Sequence, residues 1–148
     1  MQVNSNAAAF ARRMLVRKVQ ADRSMKEIFR TVFLAVDRAV IQDTPVDTGR
    51  ARSNWVASVG APALNFMKVA YSPGKRLGKS ETANAQAAAA QAQAVLALRK
   101  PGETAFLSNN APYIGKLNAG SSTQAPKGFI EKALRAGVAS VRGVKIFR

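Results

Sequence analysis

Thr44-Pro45-Val46-Asp47-Thr48-Gly49-Arg50-Ala51-Arg52-Ser53-Asn54-Trp55 divides the chain in two. Pro45 lacks a backbone donor and drives Thr44 toward an extended conformation, so a helix arriving from the N-terminal side must end here. Asp47 and Thr48 offer side-chain oxygens to the amides ahead of them, and Gly49 takes a tight or left-handed conformation at little cost. Arg50 and Arg52 lead to the only tryptophan, Trp55, where the alternation of a strand begins. The stretch predicts helix before it and strand after it. Pro45, Asp47, Gly49 and Trp55 define the joint.

Upstream of the joint, Met25, Ile28, Phe29, Val32, Phe33, Val36, Val40 and Ile41 form a broad apolar stripe at helical spacing. Ser24-Met25-Lys26-Glu27 carries the letters of a capping box, so the main core helix is expected over 24–43. Residues 1–21 are expected to form a separate, peripheral helix with a frayed start. Phe10, Met14, Leu15 and Val19 share one of its faces, and Arg12, Arg13, Arg17 and Lys18 lie mostly elsewhere. Such a helix packs like any other, or lies along a membrane or nucleic acid.

Downstream, strands are expected near 53–60, 64–71 and 103–108. Residues 72–81 read as a basic loop, with Lys75, Arg76 and Lys79 set among Pro73, Gly74 and Gly78. Its letters fail as a phosphate loop: Gly74 stands too close to Gly78, and Pro73 occupies the start of the cradle. Residues 82–99 are alanine-rich and predict a helix that Lys100-Pro101-Gly102 stops. The small, polar N-terminal half of that helix suits close approach to another backbone, from the same chain or a neighbour. Pro112 is placed to open a short helix at Tyr113-Ile114, and Pro126 to open a last helix over 126–142. The stripe of that helix is expected to dock on the sheet. The tail 143–148 is expected to pair with the sheet edge or a neighbour. The fold class is α+β: one domain over 1–148, a small, mainly antiparallel sheet packed by two or three long helices.

Of 148 residues, 23 are Lys or Arg and 8 are Asp or Glu, a formal net charge of +15. That excess favours anionic partners. The bases are dispersed along the chain, without the aromatic interleaving that stacks bases, which fits a groove or ring better than a nucleic-acid tail. There is no cysteine and no histidine, so thiol chemistry, disulfides and the commonest general base are absent. The carboxylates are scattered, with no metal-ligand spacing. No catalytic, metal or cofactor site is read, and an enzyme is not expected. No apolar run is long enough to span a membrane, and an intracellular product, or one released by lysis, is expected.

Taken together, the Pro-Val-Asp-Thr-Gly-Arg-x-Arg-x-x-Trp turn after a long helix and, far downstream, Asn109-Asn110-x-Pro112-Tyr113-Ile114 and Leu117-x-x-Gly120-x-Ser122-x-Gln124-Ala125-Pro126-x-Gly128-Phe129-Ile130 carry a resemblance. From about residue 25 to residue 142 the chain resembles the tail-completion and neck proteins of long-tailed bacteriophages. It departs at Asn118, where a glutamate is commonly expected in that family. The resemblance implies a structural virion protein, made in the host cytoplasm. It would be a hexameric or dodecameric ring at the head–tail junction or head-proximal tail, contacting neighbouring neck, tail-terminator or tail-tube proteins, with DNA passing through. Under it, Arg50, Arg52, Lys75, Arg76 and Lys79 are channel or subunit-interface candidates, while Trp55, Pro112 and Tyr113 fix the fold. The alternatives are a free, sequence-nonspecific nucleic-acid-binding protein and a small basic enzyme acting on RNA.

Overall fold

The computed structural model describes residues 3–45, 50–64 and 79–144. Along the chain run α1 (Val3–Asp43), α2 (Arg50–Ser53), β1 (Trp55–Val59), α3 (Lys79–Leu98), β2 (Ala105–Asn109), α4 (Ile114–Asn118) and α5 (Phe129–Ala139). The class is the expected α+β, mostly helical, with a small antiparallel sheet packed against helices.

The two expected N-terminal helices are one. α1 runs unbroken for 41 residues, through the capping-box letters at Ser24. No glycine or proline interrupts residues 20–30. In a continuing ladder each amide already has its carbonyl four residues back, so Ser24 has no orphan donor to cap. The helix ends at the joint as expected. Thr44 donates its hydroxyl to the Val40 carbonyl, and the same oxygen accepts the Trp55 indole N–H at 2.8 Å. The end of α1 and the start of β1 are thereby tied through one buried hydroxyl.

β1 and β2 pair antiparallel in the register Trp55↔Asn109 to Val59↔Ala105, within two residues of the expected strands. Leu64 lies in no strand, and the rest of the expected strand 64–71 falls outside the described residues. Among the described residues the sheet has two strands. Trp55 and Ala57 point into a core shared with Val40, Ile41, Ala88, Ala125, Phe129 and Ala133.

The alanine-rich helix begins at Lys79, so the end of the expected loop 72–81 is helical; residues 72–78 fall outside the described residues. Ala88, Ala92 and Leu96 are buried, and the small side chains bring α3 close to β1. There Gln91 behaves as a strand residue would: its Oε1 accepts from the Ala57 amide at 3.0 Å, and its Nε2 donates to the Ala57 carbonyl at 2.7 Å. The backbone that α3 approaches belongs to its own chain.

α5 departs from expectation twice. It starts at Phe129, because Gly128 stands at the N-cap with φ 75° and leaves Pro126 outside the helix. It also lies against α1 rather than on the sheet, which α3 covers instead. The reason is Gly137: a Cβ there would stand 2.3 Å from Val36 Cγ2 and 3.1 Å from the Val32 carbonyl oxygen, so only glycine admits this approach. Lys132 and Asp43, 3.5 Å apart, fasten the start of α5 to the end of α1. α5 ends at Ala139, short of residue 142, and passes into turns that include Gly143. Val144 lies in no strand, and residues 145–148 fall outside the described residues.

Candidate functional site

The joint gathers the expected residues unequally. Pro45 and Trp55 are buried, and Asp47 and Gly49 fall outside the described residues. Arg50 opens α2 and is exposed. Arg52 turns back onto α1: its Nη2 donates to the carbonyls of Gln42 at 3.2 Å and Thr44 at 3.0 Å. These carbonyls belong to the end of α1, where a guanidinium supplies missing donors and complements the negative pole of the helix. Charge marked Arg52 as a contact for DNA or a subunit; in the fold this end of its side chain serves as a helix cap. Lys75 and Arg76 lie outside the described residues. Lys79 opens α3, away in sequence from the joint.

The downstream block meets this joint. Asn109, opposite Trp55 in the sheet, donates its side-chain amide to the Ala51 carbonyl at 2.8 Å, and its Oδ1 accepts from the Ala111 amide at 3.0 Å. Asn110 donates to the Ala63 carbonyl at 3.0 Å. Pro112 is exposed within the turn that leads to α4, and Tyr113 is half-buried at the N-cap position of α4. Pro126 is exposed, while its neighbour Ala125 enters the core beside Trp55 and Phe129.

Asn118, where the resembling family commonly places a glutamate, performs a specific task. Its Oδ1 accepts from the Ile130 amide at 3.0 Å, one of the orphan donors at the start of α5. Its Nδ2 donates to both carboxylate oxygens of Glu131 at 3.0 Å, and the Gly128 amide returns a bond to its backbone carbonyl at 2.8 Å. The Asn118 amide, and after it a backbone bond, hold the Glu131 carboxyl below the usual glutamate range. A glutamate at position 118 would set two carboxylates face to face. Here the departure is coupled to Glu131.

Two features escaped the sequence. Arg99, one of the dispersed bases, lies 3.8 Å over the ring of Phe29 and donates through Nε to the Glu103 carbonyl at 2.7 Å. It clamps the end of α3 to α1 by a cation–π contact. Asp37 is only 1% exposed, and neither carboxyl oxygen has a hydrogen-bond partner. Burial raises its pKa to about 7, opposed by the charge of Arg38. A signal was present: Asp37 lies four residues from both Phe33 and Ile41, on the apolar face of α1.

The remaining described bases of α1 stand outward. Arg12, Arg13, Arg17, Arg23 and Arg30 are all exposed. Among the described residues, no cluster of three or more His, Cys, Asp or Glu is placed to hold a metal ion, and no helix is long and apolar enough to cross a membrane. Compared with protein-family models, curated proteins and solved structures, the chain matches none.

Proposed function

We propose that the chain is a structural virion protein of a tailed bacteriophage, forming part of a neck or head-proximal tail ring around the DNA channel. The observation that carries this reading is the convergence of its two blocks. The joint and the Asn109–Phe129 block meet through the Asn109–Ala51 hydrogen bond, 58 residues apart in the chain, and through the shared core of Trp55, Ala125 and Phe129. Residues that carry the resemblance are thus used to hold one local architecture together. The charge of +15 supports the same reading, since a channel for DNA must offset phosphate repulsion, and backbone contacts of this kind carry no base preference. The exposed arginines of α1 are added to Arg50 as candidates for DNA contact.

The test is sedimentation or native mass spectrometry of the purified protein at moderate salt, with and without tails that lack it. A closed ring, or uptake into those tails, is expected. A stable monomer that ignores tails yet binds DNA with a steep salt dependence overturns the reading in favour of a free nucleic-acid-binding protein.

A further inference from the structure

We infer that the cleft between α1 and the end of α3 is a binding site for a phosphate group, held by Lys26, Arg30 and Arg99. The cleft has a volume of about 160 Å³ and is lined by these three bases with Phe29, Leu96 and Ala97. Lys26 and Arg30 stand one turn apart on α1, so they present neighbouring charges on one side of the helix. Among the described residues no carboxylate lines the cleft, and none of the three bases has an ion-pair partner. Three like charges around one cavity repel one another, at a cost that an anion between them removes.

Arg99 is the fixed member of the set. Its guanidinium lies 3.8 Å over the Phe29 ring, which packs in turn on Phe33 with centroids 6.1 Å apart. Its Nε donates to the Glu103 carbonyl at 2.7 Å, while the Glu103 carboxylate accepts from the Lys100 amide at 2.7 Å. One edge of the guanidinium is thus spent inside the fold, and its plane is set before any ligand arrives. The terminal nitrogens keep donors in the fork that suits an oxyanion, and a fork already oriented loses little freedom on binding. Phe29, Leu96 and Ala97 give the charges an apolar wall, where attraction to an anion is stronger than in open water.

The geometry also selects the kind of anion. A planar carboxylate is filled by the Arg99 fork alone. A tetrahedral phosphate has oxygens to spare for Lys26 and Arg30 on the facing helix. Phe29 is already engaged by Arg99 and Phe33, so it offers no platform on which a base could stack. Recognition therefore ends at the phosphate and carries no base preference.

The phosphate comes from a nucleic-acid backbone or from a free phosphorylated ligand, and the link to nucleic acid rests on the DNA contact proposed above. Inorganic phosphate titrated into the full chain at moderate chloride should give saturable NMR shifts confined to amides near Lys26–Arg30 and Leu96–Lys100. Lys26→Gln combined with Arg30→Gln, both exposed, should weaken that binding by about tenfold or more at an unchanged thermal transition. Arg99→Lys, which keeps the charge and loses the fork, should weaken it by about tenfold. Lys116→Gln combined with Lys127→Gln removes the same charge elsewhere and should change it less than about twofold. Shifts that never saturate, shifts spread over all the bases, or an equal loss in the Lys116 and Lys127 pair overturn the site. Repeating the series with a short DNA duplex separates the sources: a loss confined to the cleft variants assigns the backbone, and unchanged DNA affinity assigns a free phosphorylated ligand. Uptake into tails without a saturable phosphate site sinks the cleft alone. Phosphate bound in the cleft of a monomer that ignores tails sinks only the virion reading.

Discussion

The two halves of α1 share one helix and one apolar phase, yet they stand in different physical situations. From about residue 28 onward the face is covered by α5, α3 and the Trp55 strand, with Val40 and Phe129 among the fully buried side chains. Before it the same periodicity meets solvent, and the helix is held by its own ladder and the propensity of residues such as Ala7, Ala8, Ala9 and Ala11. Periodicity therefore tells which face seeks cover, but not whether the chain itself supplies that cover.

Four substitutions measure the contrast, read by thermal or denaturant unfolding. Phe129→Ala removes the largest fully buried ring at the meeting of α1, α5 and β1 and should cost about 3–5 kcal/mol. The next effect depends on pH. The folded pKa of Asp37, about 7, is raised above its ordinary 3.8, so the folded state holds a proton that the unfolded state releases between those values. Stability should accordingly fall as pH rises through that window, by about 2–3 kcal/mol from pH 5 to pH 8, and Asp37→Asn should flatten the slope. A wild-type profile flat over that range would show that the carboxyl is not neutral in the fold. Trp55→Phe deletes the indole bond to Thr44 and leaves its buried hydroxyl without that donor, at about 1–2 kcal/mol. Smallest is Ala11→Pro, in the bare half. It should reduce helical circular dichroism while moving the domain's midpoint by less than about 0.5 kcal/mol at low protein concentration, against about 3 kcal/mol or more for proline in a packed helix interior.

What was legible in the sequence had local causes. Pro45 stopping α1, Trp55 opening β1 and the alanines of α3 act through backbone chemistry, and each element appears within a few residues of its expected place. What was illegible needed a neighbour. Ser24 carries capping letters whether or not a helix begins there, and only packing and the ladder decide. Whether α5 lies on α1 or on the sheet depends on Gly137 meeting Val36, a fit between residues a hundred positions apart. Of the candidate bases, charge alone could not separate Arg52, turned onto the end of α1, from the exposed arginines of the same helix.

Gln91 has a consequence for growth of the sheet. The open rim of a strand recruits other strands, and β1 has this rim closed at Ala57 by a single amide reaching from a helix. The closure is a plug, not a wall. If α3 drew back by one hydrogen-bond length, Ala57 would regain an unpaired donor and acceptor, the two groups a foreign strand needs in order to add.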